Sequence, residues 1–148
     1  MDSDDLIQHY RTMRSALLAA LEGLTAEQLT QTTLDGWSVK DHLNHIVFWD
    51  EMRAADMERI SAGHDSAWHM TDDQAEALNG LAHPMRSRLS IAQTMWDLER
   101  THRLIIEALD HATVVGLDPD RYAEPGLFSD HESEHTEWIL AWRKRMGY

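Results

Sequence analysis

The sequence predicts an all-α fold in which four helices pack as an antiparallel-type bundle. Apolar residues recur at three- and four-residue steps in four segments, which is the spacing of an amphipathic helix. Residues suited to helix caps precede these segments, and no segment reads convincingly as a strand. A chain of 148 residues, 43% of them hydrophobic, fits a single domain over residues 1–148 with a core of its own.

The first two helices have clear start and stop signals. Ser3 is the predicted N-cap of a first helix that ends near Gly23, and the stretch after it could add one helical turn. Ser38 and Asp41 form a capping-box pair at the start of a second helix. That helix runs to about Gly63, where glycine suits a C-terminus.

The remaining two helices are separated by a loop that contains glycine and proline. Thr71 and Gln74 begin the third helix, which Pro84 is predicted to interrupt before it resumes near Arg88. The last helix covers about residues 128–146. The following residues are expected to supply most of the core: Leu17, Leu43, Ile46, Leu98, Ile105, Trp138 and Trp142.

Composition excludes several classes of function. A formal net charge of −13 argues against nucleic acid or an anionic membrane as a partner, because both attract clustered lysine and arginine. The absence of cysteine excludes disulfides, thiolate metal ligands and a cysteine nucleophile. The acidic start MDSDDLIQHY lacks the pattern of a signal peptide, and no apolar run approaches the ~20 residues of a membrane span. We therefore expect a cytoplasmic protein.

The stretch HESEH has the H-E-x-x-H pattern of zinc metallopeptidases, in which two histidines bind zinc and the glutamate acts as a base. A peptidase also needs a third ligand downstream, yet no histidine follows His135. Trp138 and Ala141 occupy the positions of the extended metzincin motif, and no predicted sheet is present to bind a peptide. We predict no peptidase activity.

The two histidines of this stretch share one face of the last helix. At about 100° per residue, that face also carries four apolar residues: Trp138, Ile139, Trp142 and Met146. His131 and His135 are therefore either a hydrogen-bonded core pair or two metal ligands, and ligation satisfies both at once. A third ligand would come from His42, inside the apolar face of the second helix, or from His45 at its edge. Periodicity favours His42 as the buried residue without saying which of the two reaches the last helix.

Two separated stretches resemble one known family. They are LLAALEGLTAEQLTQTTLDGWSVKDHLNHIVFWDE (residues 17–51) and FSDHESEHTEWILAWR (residues 128–143). The first has "GL-x-x-EQL" and then "W-S-V" eight residues ahead of a histidine, and the second has H-x-x-x-H followed by an aromatic residue. Both patterns resemble those of DinB-like proteins. The resemblance covers the whole chain, although residues 64–127 match only in a general way.

The resemblance implies a four-helix bundle of the DinB-like type, with short extra helical turns in its connections and one divalent metal ion. That ion is usually zinc, nickel or iron, held by three histidines. By position, Trp37 selects His45, and the motif of the last helix selects His131 and His135. This choice overrules the helical-wheel argument, and His42 becomes a core residue or a neighbour of the ligands.

The resemblance also implies candidate functions. Members of the family that are understood resemble thiol-dependent transferases and isomerases, which use mycothiol, bacillithiol or glutathione, and a subset looks like self-protection hydrolases. Our hypothesis is a metal-dependent thiol S-transferase, or a related transferase or isomerase, that acts on a small electrophilic substrate. The alternatives are a non-catalytic stress or binding protein with a structural metal and a metal-dependent hydrolase. A homodimer is the expected assembly.

Other residues are candidates for roles near the metal. Glu132 and Glu134 are candidate catalytic bases, although at least one is expected on the solvated face. His102 is either a core histidine, the interpretation we favour, or an additional ligand or neighbour of the metal. His64 and His69 lie in a predicted loop and are either exposed or at the mouth of a pocket.

Overall fold

The computed structural model describes residues 2–148, and these residues form six α-helices and one 3-10 turn. They contain no strand, only a single β-bridge between Thr32 and Ser38, which confirms the all-α prediction. No helix among them is long and apolar enough to cross a membrane. In chain order the elements are α1 (Ser3–Leu21), α2 (Ala26–Thr30), α3 (Val39–Ser61), α4 (Asp72–Arg86), α5 (Ile91–Asp110), the 3-10 turn (Pro119–Arg121) and α6 (His131–Met146).

Four of these helices, α1, α3, α5 and α6, make the bundle. The most extensive packing is between α3 and α5, and α1 packs against both α5 and α6. The two other helices lie in connections: the short α2 is the predicted extra turn, and the 15-residue α4 packs on α3. The predicted four-helix bundle is confirmed, with a longer connecting helix than expected.

The first helix begins differently from the prediction. Asp2, and not Ser3, is the N-cap, because its side chain accepts a hydrogen bond of 2.9 Å from the Asp5 backbone N–H. The Ser3 hydroxyl instead donates to the Leu109 carbonyl at 2.6 Å. This bond ties the start of α1 to the end of α5.

The predicted capping box of α3 is confirmed. The Ser38 backbone N–H donates to Asp41 Oδ2 at 3.0 Å, and the Asp41 backbone N–H donates to Ser38 Oγ at 3.1 Å. A matching box of Thr71 and Gln74 begins α4. By fixing where α3 begins, the first box places the candidate ligand His45 in the second turn of the helix.

The predicted interruption after the Thr71 start exists, but it lies beyond Pro84 and not at it. The α4 helix continues through Pro84 to Arg86, and the chain leaves helical geometry at residues 87–90. Pro84 lies in the last turn of α4, where its missing N–H removes only the hydrogen bond to the Gly80 carbonyl. Lys40 then donates from Nζ to two carbonyls of the 87–90 connection, at 2.9 and 2.7 Å.

The core consists of two apolar clusters along the bundle. Six of the seven predicted core residues are at most 2% exposed: Leu17, Leu43, Ile46, Leu98, Ile105 and Trp142. Trp138 is instead half-buried, and its indole N–H lies 3.5 Å from the Thr33 hydroxyl. Met146 was predicted on the buried face but is 41% exposed at the last residue of α6.

Candidate metal centre

Three histidines from two helices bring their ring nitrogens together at one place. His45 lies on α3, while His131 and His135 lie one turn apart on α6. The Nε2 atom of His131 is 3.0 Å from Nε2 of His45 and 3.1 Å from Nε2 of His135. All three candidate ligand atoms lie within 4.8 Å of one another. Imidazoles bound to one ion at about 2.0–2.1 Å have nitrogens roughly 3 Å apart, so the triad fits a single metal ion.

The start of α6 positions two of these rings. The helix begins at His131, whose backbone N–H donates to Ser129 Oγ at 3.2 Å. Ser129 therefore supplies the side-chain cap that Asp130, the residue directly before the helix, does not provide. With the helix fixed there, His135 follows one turn later on the same face.

Burial keeps the triad neutral. It lowers the pKa of His45 to about 4, of His131 to about 3 and of His135 to about 2, and the neighbouring imidazoles lower these pKa values further. Neutral imidazole is the form that binds metals. The three ring nitrogens cannot all be paired by N–H···N hydrogen bonds among themselves. One metal cation, in contrast, accepts a lone pair from each of them. The donor set therefore suits a divalent metal ion.

His42 touches the triad without joining it. Its ring is 4% exposed, and its Nδ1 lies 2.8 Å from Nδ1 of His135, on the side of that ring away from the other ligands. The Nε2 atom of His42 lies 3.1 Å from Asp35 Oδ2, although the approach is poor for a hydrogen bond. Burial lowers the pKa of His42, and Asp35 opposes that shift. The chain from Asp35 through His42 can orient the ring of His135.

The Trp37 ring packs beside the triad. The Trp37 ring stacks on His83, with centroids 4.8 Å apart and an angle of 13° between the rings. It also meets the rings of His42 and His45 edge-on, at 5.6 and 5.4 Å. The tryptophan whose spacing selects His45 thus packs against that histidine directly.

A cavity of about 250 Å³ opens onto two members of the triad, His45 and His131. One wall is Trp49, whose indole N–H donates to Asn79 Oδ1 at 2.7 Å. Arg53 also lines the cavity, one turn beyond Trp49 on α3. A space of this size beside candidate metal ligands is suited to a small molecule.

The two candidate bases lie elsewhere. Neither Glu132 nor Glu134 lines the cavity, so their positions do not support a catalytic role. Glu134 is exposed, as expected for at least one of the pair. Glu132 is 6% exposed and accepts a hydrogen bond of 2.7 Å from Nε of Arg14.

Glu132 belongs to a buried ionic cluster with Arg14 and Asp50, which sequence analysis missed. Arg14 also donates to Asp50 Oδ2 at 3.2 Å and to the Leu98 carbonyl at 2.6 Å. Burial, with a smaller contribution from the charge of Glu132, raises the pKa of Asp50 to about 7. A usable signal was present, because Arg14 and Asp50 fall at apolar spacings between core residues of α1 and α3.

The other histidines stay outside the triad. Within residues 2–148, the triad is the one cluster with metal-ligand spacing, and His102 is not part of it. His102 is half-buried beside Arg14, and burial lowers its pKa to about 4. His64 and His69 are exposed in the loop between α3 and α4, and neither lines the cavity beside the triad.

Fold and site together define an all-helical bundle with a histidine triad that could hold a metal ion. A family model described as the DinB superfamily matches residues 9–142, and the chain belongs to that superfamily. The fold is similar to the crystal structure of an uncharacterised protein from Escherichia coli UTI89. The TM-score is 0.79 at 15% identity, over 99% of this chain and 95% of that one. A comparison with curated proteins found no match.

Proposed function

We propose that the protein binds one divalent metal ion, of zinc, nickel or iron, through His45, His131 and His135. We further propose that it is a metal-dependent thiol S-transferase that acts on a small electrophilic substrate. The observation that carries the proposal is the meeting of three neutral Nε2 atoms beside a cavity of about 250 Å³. Three protein ligands are one fewer than a structural zinc site uses, which favours a site that also accepts a small molecule.

A bound divalent ion would supply a Lewis acid that stabilises a thiol in its thiolate form. The residues of the chain do the rest. His42 contacts Nδ1 of His135 and can orient that ring, and Trp37 packs against His45. Trp49 forms one wall of the cavity, and its hydrogen bond to Asn79 fixes the indole in place.

The thiol in this reaction is a second substrate, because the chain contains no cysteine. Sulfur forms a bond to an electrophilic carbon, the bond from that carbon to its leaving group breaks, and the thiol proton leaves with that group. A structural role for the metal is less well supported. Two apolar clusters already hold the bundle together, and residues of the triad belong to neither of them.

An S-transfer assay tests the proposed reaction. Purified protein is incubated with monochlorobimane and, in turn, glutathione, bacillithiol or mycothiol, and the fluorescent thioether is measured. We expect product formation above the uncatalysed rate with at least one thiol, lost after chelation and in His135→Ala. His69→Ala, which changes an exposed loop histidine, should keep the activity. A rate that is the same with and without chelator would contradict the proposal.

A further inference from the structure

Arg53 faces the same cavity as the triad. His45, Trp49 and Arg53 follow one another at four-residue steps on α3, so they share one face of the helix. All three line the cavity. Arg53 is half-buried, and its guanidinium donates from one nitrogen to the Gly126 carbonyl at 2.8 Å.

This guanidinium has no acidic partner. Within residues 2–148, no carboxylate oxygen lies within 4.0 Å of Arg53, whereas Arg14, the buried arginine of the core, meets two. The two acids that line the same cavity, Asp72 and Glu124, are exposed at its rim. Arg53 therefore lines the cavity without a carboxylate of the chain at ion-pair distance.

Arg53 lines the same cavity as two of the candidate metal ligands, His45 and His131, so its positive charge would face a bound cation across that cavity. A cation beside a site for a divalent cation raises the energy of both, and an anion between them offsets that repulsion. A guanidinium presents parallel N–H donors that match the two oxygens of a carboxylate.

We propose that Arg53 binds a carboxylate of the substrate thiol and thereby sets its class, a small mercaptocarboxylate whose sulfur lies at the triad. This inference rests on the proposed function.

A binding measurement tests the role of Arg53. Protein loaded with Co²⁺, a spectroscopic substitute for zinc, is titrated with 3-mercaptopropionate and with its methyl ester. The charge-transfer absorption of cobalt thiolate reports binding. We expect the preference for the acid over the ester to fall about tenfold in Arg53→Gln, because a charge-assisted pair is lost. The acid and the ester differ in thiol basicity and in their ability to chelate cobalt, but these differences are the same in both proteins. Comparing the ratio of acid affinity to ester affinity between the proteins therefore cancels them.

Arg103→Gln is the matched control, because Arg103 is exposed on α5 and outside the cavity. It should keep the wild-type preference. Circular dichroism and cobalt content show whether each variant is folded and metal-loaded. If Arg53→Gln does not fold, Arg53→Met, which keeps the aliphatic stem and removes the charge, takes its place with the same expected loss.

The outcomes separate the two proposals. An unchanged preference in the Arg53 variant, with both thiols binding cobalt, would overturn the role of Arg53 and leave the proposed function standing. If neither probe produces the absorption in wild-type protein, thiol binding at the triad is wrong, and the proposed function fails together with this inference.

Discussion

Two buried polar clusters meet at the start of α6, because two adjacent residues of that helix belong to different clusters. His131 belongs to the triad, and Glu132 belongs to the ionic cluster with Arg14 and Asp50. The ionic cluster contains its own counter-charge: one guanidinium faces two carboxylates, deep in the bundle. The triad contains three lone pairs and no cation of its own, and it opens onto a cavity. Self-satisfied polar groups belong to the fold, whereas groups that need a partner from outside indicate a binding site.

The largest expected effect is a loss of stability when the ionic cluster of Arg14, Asp50 and Glu132 loses its cation. Arg14→Met keeps the aliphatic packing but leaves Asp50 and Glu132 buried without their cation, so we expect about 3–5 kcal/mol lower stability. Urea denaturation followed by circular dichroism measures this loss. Arg103→Met, at an exposed site, should cost less than about 0.5 kcal/mol. A loss below about 1 kcal/mol for Arg14→Met would show that the cluster does not hold the core together.

A smaller effect, on metal affinity, is expected when His42 is changed. His42→Ala removes the ring that contacts His135 without removing a candidate ligand. We expect the variant to retain metal with roughly tenfold weaker affinity, measured by competition with a chromophoric chelator. Complete loss of metal from His42→Ala, with metal retained in His45→Ala, would mean that the helical wheel identified the third ligand correctly.

Removal of the metal should change stability only modestly. The apolar clusters bury residues of four helices without using the triad, so the metal-free protein should remain helical and unfold cooperatively. Thermal melts with and without chelator should differ by a few degrees in Tm. Collapse of the helical signal at room temperature after chelation would make the metal structural and remove the contrast between the clusters.

The ionic cluster also predicts a dependence on pH. The pKa of Asp50 is raised to about 7 in the folded protein, against 3.8 for the ordinary side chain. Between these values the folded state holds a proton that the unfolded state releases, so the contribution of Asp50 to stability falls as pH rises from about 4 to 7. Asp50→Asn should therefore gain stability relative to wild type over that range, measured by urea denaturation at several pH values. A constant difference would contradict a raised pKa.

Sequence reasoning was most successful where the signal was local. Capping pairs such as Ser38 with Asp41 and the periodic apolar residues were sufficient to predict the helices and most of the core. The three histidines that the resemblance selected do lie together, although periodicity alone favoured His42. Periodicity reports which face is buried, and His42 is indeed buried, but the point where three rings converge depends on how two helices pack.

What the sequence did not reveal depends on contacts between distant residues. The apolar spacing of Arg14 and Asp50 could have indicated that both are buried, but that they bond to each other is visible only in the fold. Glu132 is a candidate catalytic base in the sequence because it is adjacent to His131, but its carboxylate accepts a hydrogen bond from Arg14. The unpartnered state of Arg53 is likewise visible only in three dimensions.

The metal content of protein purified without chelator, measured by elemental analysis, tests the metal centre most directly. We expect about one divalent ion per chain in wild type and in His69→Ala. Metal should be strongly reduced in His45→Ala, His131→Ala and His135→Ala, all still helical by circular dichroism. Metal retained at the wild-type level in all three variants, or a wild-type protein that takes up no divalent ion when zinc, nickel or iron is supplied, would contradict a metal centre at the triad.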